Sequence, residues 1–93
     1  VPDINNTKTR LVLPFRVNNK KDYILVINSG QKSYIWTAEN NKYKNVILLN
    51  TPNSNLTYPR GGTVISTTYG SKIILYVIIA MYNHKNIVSK IIL

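Results

Sequence analysis

Seven short apolar segments, separated by turn residues, constrain this chain more than any other feature. They are rich in Ile, Val, Thr and Tyr, which suit the pleated surface of a β-strand. Ala, Glu and Gln, which favour helices, are scarce. The sequence therefore predicts seven strands: Arg10 to Val17, Asp22 to Asn28, Ser33 to Glu39, Asn45 to Leu49, Gly62 to Thr68, Lys72 to Tyr82 and Ile87 to Leu93.

Turn signals separate these segments. Four of them are typical of turns between paired strands: Asn18 to Lys21, Asn28 to Gln31, Tyr69 to Ser71 and Asn83 to Lys85. The stretch from Thr51 to Gly62 holds two prolines and a double glycine, which predicts an irregular crossover between two sheets. Seven strands in 93 residues are typical of an all-β, seven-stranded immunoglobulin-like β-sandwich. We expect residues 1–93 to form one domain.

Two segments, Tyr23 to Ile27 and Lys72 to Tyr82, are apolar on both faces. This pattern predicts central strands with one face in the core and the other covered or bound. An exposed second apolar face would need a partner. Trp36 shares its strand face with Tyr34, which predicts an aromatic residue in the sandwich core.

The charge is strongly unbalanced, with 12 Lys and Arg against 3 acidic residues and a net charge of +9. Such a balance favours polyanions, anionic surfaces or an acidic protein partner. The basic residues are scattered along the chain, whereas a nucleic-acid-binding protein usually concentrates them. Charge alone leaves the partner open.

No pattern in the sequence predicts catalysis, a cofactor or a metal. His84 falls in a predicted turn, and the acids Asp3, Asp22 and Glu39 are few and far apart. The chain has no cysteine, so neither a disulfide nor a thiolate metal site is available. The glycines that follow Arg60 lack the spacing of a phosphate-binding loop. The sequence therefore predicts a binding protein and not an enzyme.

The chain opens at Val1 without an initiator methionine, which is typical of a processed mature protein or an excised domain. Its longest apolar stretch, Ile73 to Tyr82, is ten residues long, whereas a membrane-spanning helix needs about 20. We therefore expect no membrane span. Asn5 and Asn55 each begin an Asn-x-Thr triplet and would be glycosylation acceptors in a eukaryotic secretory protein.

A family resemblance rests on the order of several segments. In chain order they are Thr9 to Pro14, Tyr23 to Asn28, Ser33 to Trp36, Leu49 to Pro52, Tyr58 to Gly61, Ile74 to Ala80 and Ser89 to Leu93. Their order and spacing resemble the immunoglobulin-like N-terminal domain of PapD-like periplasmic pilus chaperones. The resemblance covers most of the chain, although each pattern is short and degenerate.

The resemblance implies an extracytoplasmic protein that binds a protein partner by β-strand addition. In that family an arginine and a lysine hold the partner's terminal carboxylate, and the corresponding positions here are Arg10 and Lys90. The last strand would bind the partner through Ile87, Ile91 and Leu93. Two departures weaken the match, because the family's second domain is missing and the apolar donor stretch before Lys90 is short.

The same strand-exchange chemistry serves the subunits of surface filaments. There an N-terminal arm such as Val1 to Lys8 would complete a neighbouring copy, which suits a lone chain of 93 residues. The alternative from another class is a cationic binding module for nucleic acid or anionic glycan. It would use scattered Lys and Arg with Tyr43, Tyr58 and Tyr69, which are predicted to lie in loops.

Overall fold

The computed structural model of the chain describes residues 9–28, 33–39, 41–49, 59–82 and 85–93. Those residues form seven β-strands and no helix, which confirms the all-β prediction. The strands are β1 Thr9–Val17, β2 Lys21–Asn28, β3 Ser33–Thr37, β4 Lys42–Val46, β5 Pro59–Tyr69, β6 Lys72–Met81 and β7 Asn86–Ile92. Each strand overlaps a predicted segment, and the largest shifts are at the starts of β4 and β5, three residues earlier than predicted.

Two antiparallel sheets are built from strands that are consecutive in the chain. One sheet has the order β1-β2-β3-β4 and the other has the order β5-β6-β7. An immunoglobulin constant-type sandwich instead combines its first, second, fourth and fifth strands in one sheet. The two-sheet, sandwich-like architecture is therefore found, whereas the immunoglobulin-like connectivity is not confirmed.

Local sequence explains two of the hairpins. Asn18 and Asn19 both have φ of 54°, the left-handed region that asparagine tolerates. The N–H of Lys20 donates to the carbonyl oxygen of Val17 at 3.0 Å and closes this turn between β1 and β2. Gly70 has φ of 62° in the two-residue connection between β5 and β6. Both turns confirm the predictions made for those positions.

The core lies between the two sheets and receives apolar side chains from both. Its buried members are Leu13, Leu25, Ile27, Ile35, Val46, Leu48, Leu75, Val77, Ile79, Met81 and Ile91. β2 lies between β1 and β3, and β6 lies between β5 and β7, so the two segments with apolar faces on both sides are interior strands as predicted. The inner residues of β6 alternate with outward-facing ones, as a strand requires.

The double glycine lies inside β5, so the prediction of an irregular crossover is wrong for residues 59–61, whereas Gly62 lies in a strand as the predicted segment Gly62 to Thr68 has it. A Cβ atom on Gly62 would lie 2.8 Å from the carbonyl oxygen of Ile78 and 3.3 Å from Cδ1 of Leu13. Because the tightest of these contacts is with the backbone of β6, Gly62 is needed where β5 pairs closely with β6, with the Leu13 side chain of β1 next to it. Residues 51–58 of the predicted crossover lie outside the described residues.

Trp36 corrects a second prediction. It pairs with Ile24 on β2 and Tyr43 on β4, while the core residue Ile35 next to it points the other way. Trp36 is half-buried on the outer face of the four-stranded sheet and is not a core residue. Tyr34 does share its face, as the spacing of two predicts.

The sheets also meet along their sides. β1 lies beside β5 and belongs to a different hydrogen-bonded sheet, with the Ser66 hydroxyl donating to the carbonyl oxygen of Arg16 at 3.5 Å. On the other side, the Leu49 N–H donates to the Lys90 carbonyl at 2.9 Å, and the Lys90 N–H donates to the Leu49 carbonyl at 3.3 Å. This bridge ties the segment after β4 to the outer edge of β7.

Candidate functional site

The structure places the two predicted carboxylate-binding cations in different sheets. Arg10 lies near the start of β1, and its Nη1 donates to the Thr9 carbonyl at 3.4 Å. Lys90 lies on β7 opposite Tyr76 and is half-buried. Their joint role in holding a carboxylate stays a prediction.

The other three predicted partner-binding residues, Ile87, Ile91 and Leu93, pack inside the domain. Ile91 is 1 % exposed, and Ile87 and Leu93 pack against the core cluster. The Leu93 N–H also donates to the Ile73 carbonyl at 2.9 Å. These side chains hold β7 in its own sheet, so any contact of β7 with a partner would use its main chain or its outward side chains.

The outer edge of β7 already carries main-chain pairing at one position. In an antiparallel ladder the N–H and C=O of one residue point to the same side, and successive residues alternate. Because Lys90 uses the outer edge for Leu49, the main-chain groups of Val88 and Ile92 point to that edge too. Among the described residues, the Leu49–Lys90 bridge is the only pairing on this edge.

The three-stranded sheet presents an apolar outer surface, here called the β5–β7 face. Side chains directly opposite each other share a face, so the pairs Ile65 with Tyr76, Ile78 with Val88 and Ile74 with Ile92 define it. Four of its members have large exposed fractions: Ile65 53 %, Tyr76 38 %, Val88 56 % and Ile92 51 %. Adjacent exposed apolar side chains of this kind mark interaction surfaces.

The outer face of the four-stranded sheet is aromatic. The rings of Tyr34 and Tyr43 meet edge to face with centroids 5.2 Å apart. The indole N–H of Trp36 donates to Oδ1 of Asn41 at 2.7 Å. Tyr43 lies in β4 and not in the loop that the sequence predicts.

Both described carboxylates are already paired. Nε of Arg16 donates to Oδ1 of Asp22 at 2.7 Å, and Nζ of Lys21 lies 3.4 Å from Oε2 of Glu39. The hydrogen bond from Arg16 lowers the pKa of the Asp22 carboxyl, and the pair raises the pKa of Arg16. Both pairs lie at the four-stranded sheet, because residues 40–93 contain no acidic residue.

Lysines surround one shallow depression between the sheets. It has a volume of about 350 Å³ and includes Lys42, Tyr43, Lys44, Ile73 and Leu93 in its lining. Lys42 and Lys44 pair with Thr37 and Ile35, so their side chains lie on the opposite face of β4 from the ring of Tyr43, which shares the outer face with Trp36. The two exposed lysines beside the depression are the feature here that suits an anionic ligand.

The chemistry of the described residues includes no metal-binding group of three or more His, Cys, Asp or Glu side chains. Over the same ranges no helix is long and apolar enough to cross a membrane. His84, Asp3, Asn5, Asn55 and Tyr58 lie outside the described residues.

Sequence reasoning missed the contribution of β7 to the apolar face. It selected Ile87, Ile91 and Leu93, which alternate with the residues that point outward. The signal that would have found Val88 and Ile92 is the second apolar face of β6, because strands paired with β6 must continue that face.

The geometry defines a class of protein: an all-β domain of two packed antiparallel sheets with an apolar outer face and an excess of cations. Comparisons with protein-family models, curated proteins and solved structures give no match to this chain. The resemblance to PapD-like chaperones therefore stays a prediction.

Proposed function

We propose that this chain is a non-enzymatic, extracytoplasmic protein-binding domain that acts by β-strand addition. It serves as a filament or pilus subunit, or as a pilus-chaperone-like domain. An extended segment of a partner, or of another copy, pairs with the outer edge of β7. The Leu49–Lys90 bridge is the observation that supports this proposal, because it shows an antiparallel segment in register on that edge.

Strand addition needs an accessible sheet edge and does not need immunoglobulin-like connectivity. The four edge strands of the two sheets are β1, β4, β5 and β7. β1 and β5 lie beside each other, and β4 has Lys42 and Lys44 exposed, a composition that discourages pairing at edges. On the outer face of β7, the side chains of Val88 and Ile92 flank a single lysine, Lys90. Because β7 carries fewer exposed cations than β4, its edge suits an added strand best.

A proline at Ile92 tests the edge directly. Ile92→Pro removes one N–H that points to the outer edge, and proline is tolerated there because that N–H does not pair with β6. Ile92→Ala is the matched control, since it shortens the side chain and keeps the N–H. A proline at Ile91 would instead break pairing with β6 and test only folding.

Self-association measured by sedimentation equilibrium should weaken up to about tenfold in Ile92→Pro, the effect of losing one hydrogen bond. Ile92→Ala should associate within about twofold of the unchanged chain. Equal effects of the two substitutions would assign the contact to side chains. A chain that stays monomeric and binds no extended peptide at millimolar concentration would refute strand addition.

A cationic module for nucleic acid or anionic glycan is the second candidate. The exposed Lys42 and Lys44 on one side of β4 favour it, with the ring of Tyr43, 49 % exposed, on the other side. On the leading proposal, affinity for single-stranded DNA falls steeply with salt and changes less than about twofold in Tyr43→Ala or Tyr69→Ala. A tenfold loss in either variant at physiological salt, about the value of stacking one base, would favour the cationic module.

A further inference from the structure

The β5–β7 face combines exposed apolar side chains with two exposed threonines, Thr63 and Thr67, and with charged groups that are all cations. Its apolar members form paired positions across β5, β6 and β7, and Val88 and Ile92 are each more than half exposed. Lys90 lies between Val88 and Ile92 on β7. Lys72, the first residue of β6, lies on the same face. None of the described residues that form this face carries an acidic side chain, because residues 40–93 contain no Asp or Glu.

The acidic residues elsewhere in the described chain pair with other cations and not with Lys72 or Lys90. Asp22 is hydrogen-bonded to Arg16, and Glu39 lies beside Lys21, both at the four-stranded sheet. Covering the β5–β7 face would remove the ammonium group of Lys90 from water. An ion that loses hydration needs an opposite charge, so an occupant without a carboxylate covers this face poorly.

A second copy of the chain lacks the required chemistry. Face-to-face packing of two such sheets would bring apolar surfaces together, but each copy would add its own Lys72 and Lys90 and no acid. The charge pattern therefore points away from a symmetric dimer on this face.

We propose that the β5–β7 face docks an acidic protein partner through side chains. The partner presents an apolar surface to Ile65, Tyr76, Val88 and Ile92, with a carboxylate placed to meet Lys90. This contact uses the face of the sheet and leaves the outer edge of β7 to strand addition. It therefore stands or falls independently of the function proposed above.

A helical peptide is the appropriate probe, because a helix satisfies its own main chain and cannot add to a sheet edge. The peptide carries leucines along one side with glutamates flanking them, and a second peptide replaces every glutamate with lysine. Titration of the ¹⁵N-labelled protein should shift the amide resonances of β6 and β7 with the glutamate peptide. The lysine peptide should bind at least about tenfold more weakly.

Two matched pairs of variants locate the contact. Val88→Lys should weaken binding of the glutamate peptide about tenfold or more, whereas Ile47→Lys, at a position 73 % exposed outside the face, should change it less than about twofold. Lys90→Glu should weaken it about tenfold, and Lys44→Glu, which changes the net charge equally, should have a much smaller effect. Unchanged thermal unfolding of the variants confirms that they fold.

Three results would overturn the proposal. The first is absence of binding by the glutamate peptide, or resonance shifts confined to the four-stranded sheet. The second is concentration-dependent self-association that Val88→Lys abolishes, which would assign the face to a second copy. The third is binding to vesicles of phosphatidylcholine and phosphatidylglycerol, lost in Val88→Lys, without binding of the peptide. Loss of self-association in Ile92→Pro that the matched Ile92→Ala variant does not share bears only on strand addition.

Discussion

The two sheets bury their inner faces alike but differ on their outer faces. The four-stranded sheet carries Trp36, Tyr34 and Tyr43, which make contacts within the sheet and its turns. Its two acids are paired with cations of the same region. The three-stranded sheet carries Ile65, Val88 and Ile92 exposed to solvent.

This difference indicates which side of the molecule meets a partner. On the four-stranded sheet, local contacts pair the Trp36 N–H and both acids, while the ring of Tyr43 packs against Tyr34 and stays 49 % exposed. On the three-stranded sheet, apolar area stays exposed and the cations have no acid in residues 40–93. A face that lacks internal compensation is the better candidate for binding.

The largest expected effect is the difference in stability between substitutions at an inner and an outer position of β6. Val77 is fully buried, whereas Tyr76 is 38 % exposed on the β5–β7 face. Val77→Asp should lower the free energy of unfolding by about 3 to 5 kcal/mol, because it buries a charge without a partner. Tyr76→Asp should cost about 1 kcal/mol or less, since its carboxylate reaches water.

Urea unfolding followed by circular dichroism measures both variants. Similar losses at the two positions would contradict the assignment of Tyr76 to an open face. Leu75→Asp provides a second inner position, because Leu75 is also fully buried.

The close approach of β5 to its neighbour β6 is tested by two adjacent glycines. A Cβ on Gly62 would meet backbone at 2.8 Å, whereas one on Gly61 would meet nothing within 4 Å. Gly62→Ala should therefore lower the unfolding free energy by about 1 to 3 kcal/mol, the cost of overpacking. Gly61→Ala should change it by less than about 1 kcal/mol, with stabilisation the expected direction.

Chemical denaturation of the two alanine variants gives the comparison directly. Equal stability would mean that β5 moves away from the Ile78 carbonyl of β6 without cost, so the close pairing of the two strands at this position would not need a glycine.

Much of the fold could be predicted because period-two patterns and turn residues are local signals. The Asn18–Asn19 turn and the interior positions of β2 and β6 follow from such signals. The order of strands could not be predicted this way, because it depends on which strands pair at long range. The wrong prediction for Trp36 has a related cause. Alternation shows that Trp36 and Ile35 lie on opposite faces of β3, but it does not show which of the two faces is the core.

The candidate surfaces were less predictable than the strands. The second apolar face of β6 indicated a partner surface, and its outward residues Tyr76 and Ile78 do face away from the core. The assignment of Ile87, Ile91 and Leu93 to binding followed a resemblance and not the alternation, and their side chains pack inward. A family pattern gives positions along a strand, whereas the sheet pairing decides which side of the strand each residue occupies.

Substitutions at Trp36 test how much the contacts on the outer face of the four-stranded sheet contribute to stability. Trp36→Ala removes a half-buried ring and should cost about 1 to 3 kcal/mol. Trp36→Phe keeps an aromatic ring but loses the N–H donor to Asn41, so it should cost about 0.5 to 1.5 kcal/mol. Ile92→Ala on the opposite face should cost less than either, because its side chain is 51 % exposed. Thermal unfolding of the three variants checks this order, and a larger loss at Ile92 would reverse the comparison.

The smallest effect concerns the ion pair that balances charge on the four-stranded sheet. The hydrogen bond from Arg16 lowers the pKa of Asp22 in the folded chain below its unfolded value of about 3.9. Because the folded pKa is the lower one, the pair contributes its stability above the unfolded pKa and loses it as the pH falls through the folded pKa. Both side chains are well exposed to solvent, which screens the pair and keeps the contribution small.

Stability measured from pH 7 down to about pH 2 should therefore fall slightly more in the unchanged chain than in Asp22→Asn, which has no carboxylate to protonate. High salt should reduce the difference. Identical pH profiles would show that the Arg16–Asp22 contact adds nothing measurable, and the contrast between the two outer faces would then rest on their apolar and aromatic side chains alone.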